Sequence, residues 1–191
     1  MKEYESCFVG IPLPDEKQQD FKVLLTDINQ INSLLETSDP SVPHVTIYYL
    51  DRQPESNFRE ISQGLLPKVD LLQGAQLTVG GFDYFNENDH PSVIFLKVQY
   101  PEALRDFYQA VAGVLVKYCD VDRNLSFHPH LTVARLRSSQ AQQSFGQSVA
   151  SLKSRLDEAS WTFAITEVVL YGIDPTEQPR RQKKLMVVGG S

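Results

Sequence analysis

The segments HVTIYYL at residues 44–50 and HLTVARL at residues 130–136 share an H-x-T pattern and begin 86 residues apart. Both are rich in β-branched, aromatic and aliphatic residues, a composition that is typical of a buried strand. We therefore predict a strand at each segment, and the repeated pattern indicates that the chain contains two related halves.

The 86-residue interval also relates positions outside these two segments. It pairs apolar residues of predicted strands and helices as follows: Phe8 with Ile94, Phe21 with Phe107, Leu25 with Val111, and Ile28 with Val114. Each half predicts the order strand, helix, H-x-T strand, helix, strand. We therefore predict one bilobal domain over residues 1–191, with pseudo-repeat halves at about 1–90 and 91–191. A pseudo-two-fold axis would then set the two H-x-T strands facing each other across a shared cleft.

Hydrophobic periodicity and turn residues predict the elements of each half. The predicted strands cover 4–14, 44–50, 77–85, 92–100, 130–136, 161–171 and 184–188, and the predicted helices cover 15–36, 54–68, a segment after Pro101 and the region 145–156. Gly80 and Gly81 predict a bulge within their strand. The connections are too short for a doubly wound parallel sheet. We expect an α+β fold with two mainly antiparallel sheets, outer helices and a central cleft.

The composition excludes several classes of protein. The net charge of −6 over 191 residues argues against a broad basic surface for nucleic acid, although a locally positive cleft can still hold a small anion. No stretch approaches the roughly 20 apolar residues of a membrane span, and the first residues do not form a secretory signal. Cys7 and Cys119 are too few for a disulfide scaffold, so we predict two reduced, buried thiols. We expect a cytoplasmic monomer that does not contact a membrane.

The H-x-T pattern places an imidazole and a hydroxyl on the same side of a strand, because residues i and i+2 share a face. His44 and Thr46 project together, as do His130 and Thr132, while the alternate residues face the core. Two imidazoles can serve as a general base and a general acid near neutral pH, and either can take either role. Two threonine hydroxyls can donate hydrogen bonds to phosphate oxygens. This set suits the cleavage of a phosphodiester.

The motifs HVTI and HLTV, the latter within FHPHLTVAR, resemble those of the 2H phosphoesterase superfamily. Within it, the chain is most similar to the branch of 2′-5′ RNA ligases and RNA 2′,3′-cyclic phosphodiesterases. The resemblance implies the bilobal 2H phosphoesterase fold, no metal or other cofactor, and a nucleotide or short RNA substrate. It also implies catalytic roles for His44 and His130, and phosphate-binding roles for Thr46 and Thr132.

Two further residues match features that the resemblance associates with RNA-acting members. Arg135 completes the pattern H-x-T-x-x-R, and Tyr49 is an aromatic residue five positions after the first histidine. The resemblance implies that both bind substrate. Simple strand alternation would point both side chains away from the histidines, so this role requires a bulge or a strong twist at the end of each strand.

We therefore predict a metal-independent phosphodiesterase that acts on 2′,3′-cyclic phosphates or 2′-5′-linked nucleotide or RNA ends. A non-catalytic nucleotide-binding module on the same fold is the alternative of a different class. A metal-dependent enzyme is also open, because His128 and His130 form an H-x-H pair. The cationic run Arg180, Arg181, Lys183 and Lys184 is either a solvated hairpin or a flexible basic flap for a polyanion.

Overall fold

A computed structural model of the chain describes residues 2–87, 89–119 and 127–190. Its strands are β1 (Glu3–Pro12), β2 (Glu36–Thr37), β3 (His44–Pro54), β4 (Gln76–Glu87), β5 (His90–Gln99), β6 (His130–Arg135), β7 (Ser160–Ala164), β8 (Glu167–Ile173) and β9 (Gln182–Gly190). Its α-helices are α1 (Asp15–Ile31), α2 (Glu55–Val69), α3 (Glu102–Leu115) and α4 (Ser139–Glu158). The order of elements agrees with the predicted repeat of strand, helix, H-x-T strand, helix, strand. None of the helices described is long and apolar enough to cross a membrane.

The strands form one sheet whose strand order differs from the order along the chain. Every described pairing in it is antiparallel. The strand order is β7-β4-β5-β6-β3-β1-β8-β9, and β2 pairs with β6. The α+β class and the antiparallel pairing are thus confirmed. The prediction of two separate sheets is wrong, because the H-x-T strands β3 and β6 pair with each other and join the two halves of the sheet.

Each side of the sheet contains elements from both halves of the sequence. β4 belongs to the first half of the sequence but pairs with β5 of the second half. β8 belongs to the second half but pairs with β1 of the first half. The helices follow the same exchange, since α1 packs against α4 and α2 packs against α3. Two halves that exchange strands and helices cannot separate without exposing the core of both.

In the part of the chain that the structure describes, all four helices contribute to the core on one face of the sheet, and none contributes to the cluster on the other face. The main core joins the strand residues Val45, Ile47, Leu131 and Val133 to apolar residues of all four helices. The predicted core-facing phase of both H-x-T strands is therefore confirmed. A separate cluster of Phe8, Val169 and Tyr171 lies on the opposite face, where the histidines project. We call this the histidine face: the sheet face that carries His44, Thr46, His130 and Thr132.

Two predicted elements differ from those observed. The predicted strand 161–171 is two strands: β7 lies at one end of the sheet beside β4, and β8 pairs with β1 near the other end. The chain leaves β7 at Ile165, whose N–H donates to the carbonyl of Ala75. The predicted first helix ends at Ile31 rather than residue 36, because Asn32 adopts an extended backbone and its side chain accepts from the N–H of Leu34.

Other local predictions agree with the structure. The register between β4 and β5 shifts between Val79 and Phe82, which confirms the bulge at Gly80 and Gly81. Neither Cys7 nor Cys119 forms a disulfide. Cys7 is buried as predicted, whereas Cys119 is partly exposed because it lies in the turn that follows α3.

Candidate active site

The two H-x-T motifs lie side by side at the centre of the sheet. In the antiparallel register of β3 and β6, Val45 is opposite Leu131 and Thr46 is opposite His130. The same register carried one residue further sets His44 opposite Thr132. The motifs therefore form a reciprocal two-by-two patch on the histidine face. The sequence predicts that the two motifs face each other across a cleft. That prediction is wrong, because the two strands are direct neighbours in one sheet. Diagonal neighbours on such a face are about 7–8 Å apart, a separation that one phosphate group can span.

The two imidazole rings are held by equivalent hydrogen bonds. Nδ1 of His44 donates to the carbonyl of Val42 at 2.7 Å, and Nδ1 of His130 donates to the carbonyl of His128 at 2.9 Å. A carbonyl can only accept, so each neutral ring carries its proton on Nδ1 and has a lone pair on Nε2. Both histidines thus have an Nε2 atom suited to take a proton from a ligand.

Aromatic rings pack against each histidine, and sequence reasoning did not identify them as part of the site. The ring of His44 lies 4.5 Å from that of Phe8 and 4.9 Å from that of Tyr171. The ring of His130 lies 5.0 Å from that of Phe85 and 5.3 Å from that of Phe95. The sequence contains a signal that could have identified two of these rings. Phe85 and Tyr171 are separated by the same 86 residues as the two histidines.

This apolar packing lowers the pKa of both histidines. Burial is the main cause for His44, whose pKa falls from 6.5 to about 4, and the nearby charges of His130 and Arg135 lower it further. The hydrogen bond to Val42 opposes this change. Burial is also the main cause of the lowered pKa of His130, and Arg135 contributes. In the unliganded site both rings are therefore neutral at pH 7, and an anion bound between them would favour protonation of one.

Both H-x-T strands contain a bulge at the position after the threonine. On β3, Tyr48 and Thr46 pair with consecutive residues of β1, so Ile47 is the extra residue. On β6, Ala134 and Thr132 pair with consecutive residues of β5, so Val133 is the extra residue. These two bulges are again 86 residues apart. A bulge reverses the alternation of the side chains that follow it.

As a result, Tyr49 and Arg135 lie on the histidine face. Tyr49 pairs with Phe8, whose ring contacts His44. Arg135 pairs with Val93, which in turn pairs with Phe85, a ring that contacts His130. Directly paired residues of antiparallel strands project to the same face. The bulges that these two residues require are therefore present in both strands.

Arg135 gives the site a positive charge. Burial lowers its pKa most, the neighbouring charge of Arg137 lowers it further, and Glu36 opposes both effects. Glu36 forms an ion pair with Arg137. Over residues 2–87, 89–119 and 127–190, Arg135 has no acidic ion-pair partner of its own. Its charge is therefore available to an anion beside the histidines.

The cationic run near the C-terminus is largely neutralised by acidic residues. Arg180 pairs with Glu5 at 3.2 Å, Lys183 pairs with Glu177 and Asp174, and Lys184 pairs with Glu167. These ion pairs favour the solvated hairpin over a basic flap for a polyanion.

The H-x-H pair does not belong to a wider cluster of metal ligands in the part of the chain that the structure describes. There, no group of three His, Cys, Asp or Glu side chains lies close enough to hold a metal ion. Nδ1 of His130 donates to the backbone of His128, and the cation Arg135 lies nearby.

Known structures share this fold over almost the whole chain. The crystal structure of TT0787 from Thermus thermophilus has a TM-score of 0.65 at 17% identity and covers 95% of this chain and 96% of its own. E. coli LigT complexed with 3′-AMP has a TM-score of 0.66 at 18% identity, with 96% and 97% covered. The MHV ns2 PDE domain has a TM-score of 0.55 at 14% identity, with 87% and 97% covered.

The sequence comparison leads to a family. No curated protein sequence gives a significant match to the chain. The profile of the 2′-5′ RNA ligase superfamily, however, matches residues 22–177, a range that contains both H-x-T motifs and most of the sheet. The chain belongs to the 2′-5′ RNA ligase superfamily.

Proposed function

We propose that the protein is a metal-independent phosphodiesterase that acts on 2′,3′-cyclic phosphates or 2′-5′-linked nucleotide or RNA ends. The observation that carries this proposal is the reciprocal pairing of the H-x-T motifs. It sets two imidazoles and two hydroxyls on one sheet face, with Arg135 beside them. This arrangement supplies a base, an acid and hydrogen-bond donors around one phosphorus atom.

The proposed reaction is a single displacement at phosphorus. Nε2 of one histidine takes a proton from water as the water oxygen bonds to phosphorus. The other histidine, protonated, gives its Nε2 proton to the ribose oxygen as the bond from that oxygen to phosphorus breaks. Thr46, Thr132 and Arg135 hold the remaining phosphate oxygens. In the reverse displacement the ribose oxygen bonds to phosphorus, water leaves, and the two histidines exchange roles.

The relatives support the substrate class. Membership in the 2′-5′ RNA ligase superfamily favours phosphoesterase or ligase chemistry. LigT has been crystallised with 3′-AMP, and the ns2 domain bears the designation PDE. We further propose that the protein is a monomer. We also propose that it acts on nucleotides or short RNA, because a net charge of −6 disfavours long polyanions. Its free thiols suit the reducing cytoplasm.

The test is a product assay with 2′,3′-cyclic nucleotides and 2′-5′-linked oligonucleotides in the presence of EDTA. We expect a nucleoside monophosphate product that EDTA does not suppress. His44→Ala and His130→Ala should each lower kcat about 10²–10⁴-fold, the range for general acid–base groups. His90→Ala is the matched control, because His90 is an exposed histidine at the start of β5.

Each result discriminates between the candidate functions. Nucleotide binding without product would favour the non-catalytic binding module. Loss of activity in EDTA, restored by a divalent ion, would favour the metal-dependent enzyme. Full turnover by both histidine variants, with circular dichroism and melting temperature unchanged, would overturn the proposed mechanism.

A further inference from the structure

Tyr171 is a buried tyrosine whose hydroxyl has no hydrogen-bond partner in the part of the chain that the structure describes. Its side chain is 0% exposed. Among the described residues its hydroxyl is the one buried side-chain polar atom without a partner. A buried polar group that lacks a partner destabilises the protein, so such a group in a native fold calls for a ligand or water that satisfies it.

The ring of Tyr171 reaches from β8 across β1 toward the H-x-T strand β3. It stacks on Phe8 at 4.9 Å and lies 4.9 Å from the ring of His44. Gly10 lies on β1, the strand between β8 and β3, and pairs with Thr46 of β3. A Cβ atom on Gly10 would be 3.1 Å from Cε2 of Tyr171, the ring carbon next to the one that bears the hydroxyl. The ring of Tyr171 therefore lies over β1 and beside the ring of His44.

Among the described residues, the aromatic rings that contact His130 carry no equivalent hydroxyl. The residue that pairs with Thr132 is Phe95, where the first half has Gly10. The residue 86 positions before Tyr171 is Phe85, whose ring lies edge-on to His130 at 5.0 Å, whereas the ring of Tyr171 is tilted by 32° to that of His44. Two aromatic rings thus contact each histidine, and the ring of Tyr171, beside His44, carries a hydroxyl, whereas the rings of Phe85 and Phe95, beside His130, do not.

Arg135 adds to this asymmetry. It lies beyond Thr132 on β6, opposite Glu36 of β2, and so past the end of the patch that contains His44. A phosphodiester with two different ends would therefore meet an additional hydroxyl, that of Tyr171, near His44, and aromatic rings without a hydroxyl near His130.

We propose that the Tyr171 hydroxyl donates a hydrogen bond to an oxygen of the bound phosphodiester beside His44, and that this contact sets which end of the substrate lies against each histidine. The inference deepens the proposed function and rests on it for the identity of the ligand. Tyr171 is a positioning residue, since proton transfer remains with the histidines. Burial raises the pKa of Tyr171, so its hydroxyl remains protonated and able to donate. The nearby carboxylate of Glu167 is already engaged by Lys184.

The test compares Tyr171→Phe with two matched variants. Phe85→Tyr adds a hydroxyl at the equivalent position of the other half, and Tyr118→Phe removes a hydroxyl that binds Glu60 away from the site. For each variant we would measure the Kd for inorganic phosphate by calorimetry and the melting temperature. We would also measure kcat, KM and the ratio of 2′- to 3′-phosphate products from a nucleoside 2′,3′-cyclic phosphate.

Tyr171→Phe should weaken phosphate binding and raise KM by about tenfold, the loss expected for one hydrogen bond to an anion. It should also shift the product ratio toward a mixture and leave the melting temperature unchanged or higher. Tyr118→Phe should leave Kd, KM and the product ratio unchanged. Phe85→Tyr, which retains Tyr171, should shift the product ratio without the loss of phosphate affinity expected for Tyr171→Phe.

Three outcomes would overturn the inference: an unchanged Kd and product ratio in Tyr171→Phe, the same losses in Tyr118→Phe, or a melting temperature several degrees lower in Tyr171→Phe, which would mean that the hydroxyl is bonded within the protein. If the wild type hydrolyses nothing while Tyr171→Phe still weakens phosphate binding, the proposed function fails and the role of Tyr171 stands.

Discussion

Replacing His44 by glutamine should remove an acid-dependent loss of stability. His44 is neutral in the folded protein because burial lowers its pKa from 6.5 to about 4. The unfolded chain binds a proton near pH 6.5 and the folded chain does not. Acid therefore favours the unfolded chain, and this loss grows as the pH falls from about 6.5 to about 4. Above this window His44 is neutral in both states, and below it both states are protonated, so the loss stays constant.

The size of the effect follows from the two pKa values. At 1.36 kcal/mol per pKa unit, the difference between 6.5 and about 4 corresponds to about 3 kcal/mol of unfolding free energy between pH 7 and pH 4. Carboxylates that titrate in the same range are present in both proteins, so they cancel in the comparison. The wild type should therefore lose about 3 kcal/mol more than His44→Gln over this interval.

The assay is urea denaturation of both proteins at pH 7, 6, 5 and 4 in buffers without phosphate, because a bound anion would raise the histidine pKa. His90→Gln serves as the control, because His90 is an exposed histidine at the start of β5. If the wild type and His44→Gln lose the same stability from pH 7 to pH 4, His44 is not buried in an apolar setting. The aromatic rings would then not set the protonation state of the site.

Further predictions concern the charge, the exposed ring and the helices. Arg135→Gln removes a charge that lowers the pKa of both histidines, so the acidic limb of the kcat/KM profile should move to higher pH; an unmoved limb would place the guanidinium away from the rings. Tyr49, 55% exposed on the histidine face, can stack on a base, so Tyr49→Ala should raise KM for a cyclic nucleotide about tenfold and leave phosphate binding unchanged. Equal losses for both ligands would contradict this role. Gly146→Ala, which meets open space on α4, should raise the unfolding free energy by about 1 kcal/mol in urea, whereas Gly64→Ala places its Cβ 2.7 Å from Val114 and should lower it. Equal shifts would show that packing at Gly64 is unimportant.

Much of the site follows from strand alternation and from the repeat. The i, i+2 rule places His44 and Thr46 on one face and Val45 in the core, and the structure agrees at both motifs. The 86-residue interval also relates features that were not used to find it. These are the bulges at Ile47 and Val133, the Nδ1 acceptors on Val42 and His128, and the aromatic residues Phe85 and Tyr171.

The 86-residue interval pairs residues that are not structurally equivalent where the strand registers of the two halves differ by one residue. It pairs Phe8 with Ile94, but Phe8 lies on the histidine face whereas Ile94 belongs to the core beneath the helices. The ladders instead match Gly10 with Phe95, through their partners Thr46 and Thr132. A slip of one residue moves a side chain to the other face of a sheet, and apolar composition alone does not reveal such a slip.

The apolar composition of residues 161–171 also does not reveal that this predicted strand is two strands. Val168, Val169, Leu170 and Tyr171 are all buried because β8 is covered on both faces. A strand buried on both faces reads as a continuous apolar run, which hides the boundary at Ile165.

The sequence by itself determined which side chains the two H-x-T motifs place on one face of their strands, because residue type and phase on a strand are local properties. Tertiary structure alone decided that these strands are direct neighbours, that bulges turn Tyr49 and Arg135 toward the histidines, and that Tyr171 crosses Gly10 to reach His44. These features depend on which distant strands pair and in what register. That choice is made by the packing of the whole core, so no local periodicity encodes it.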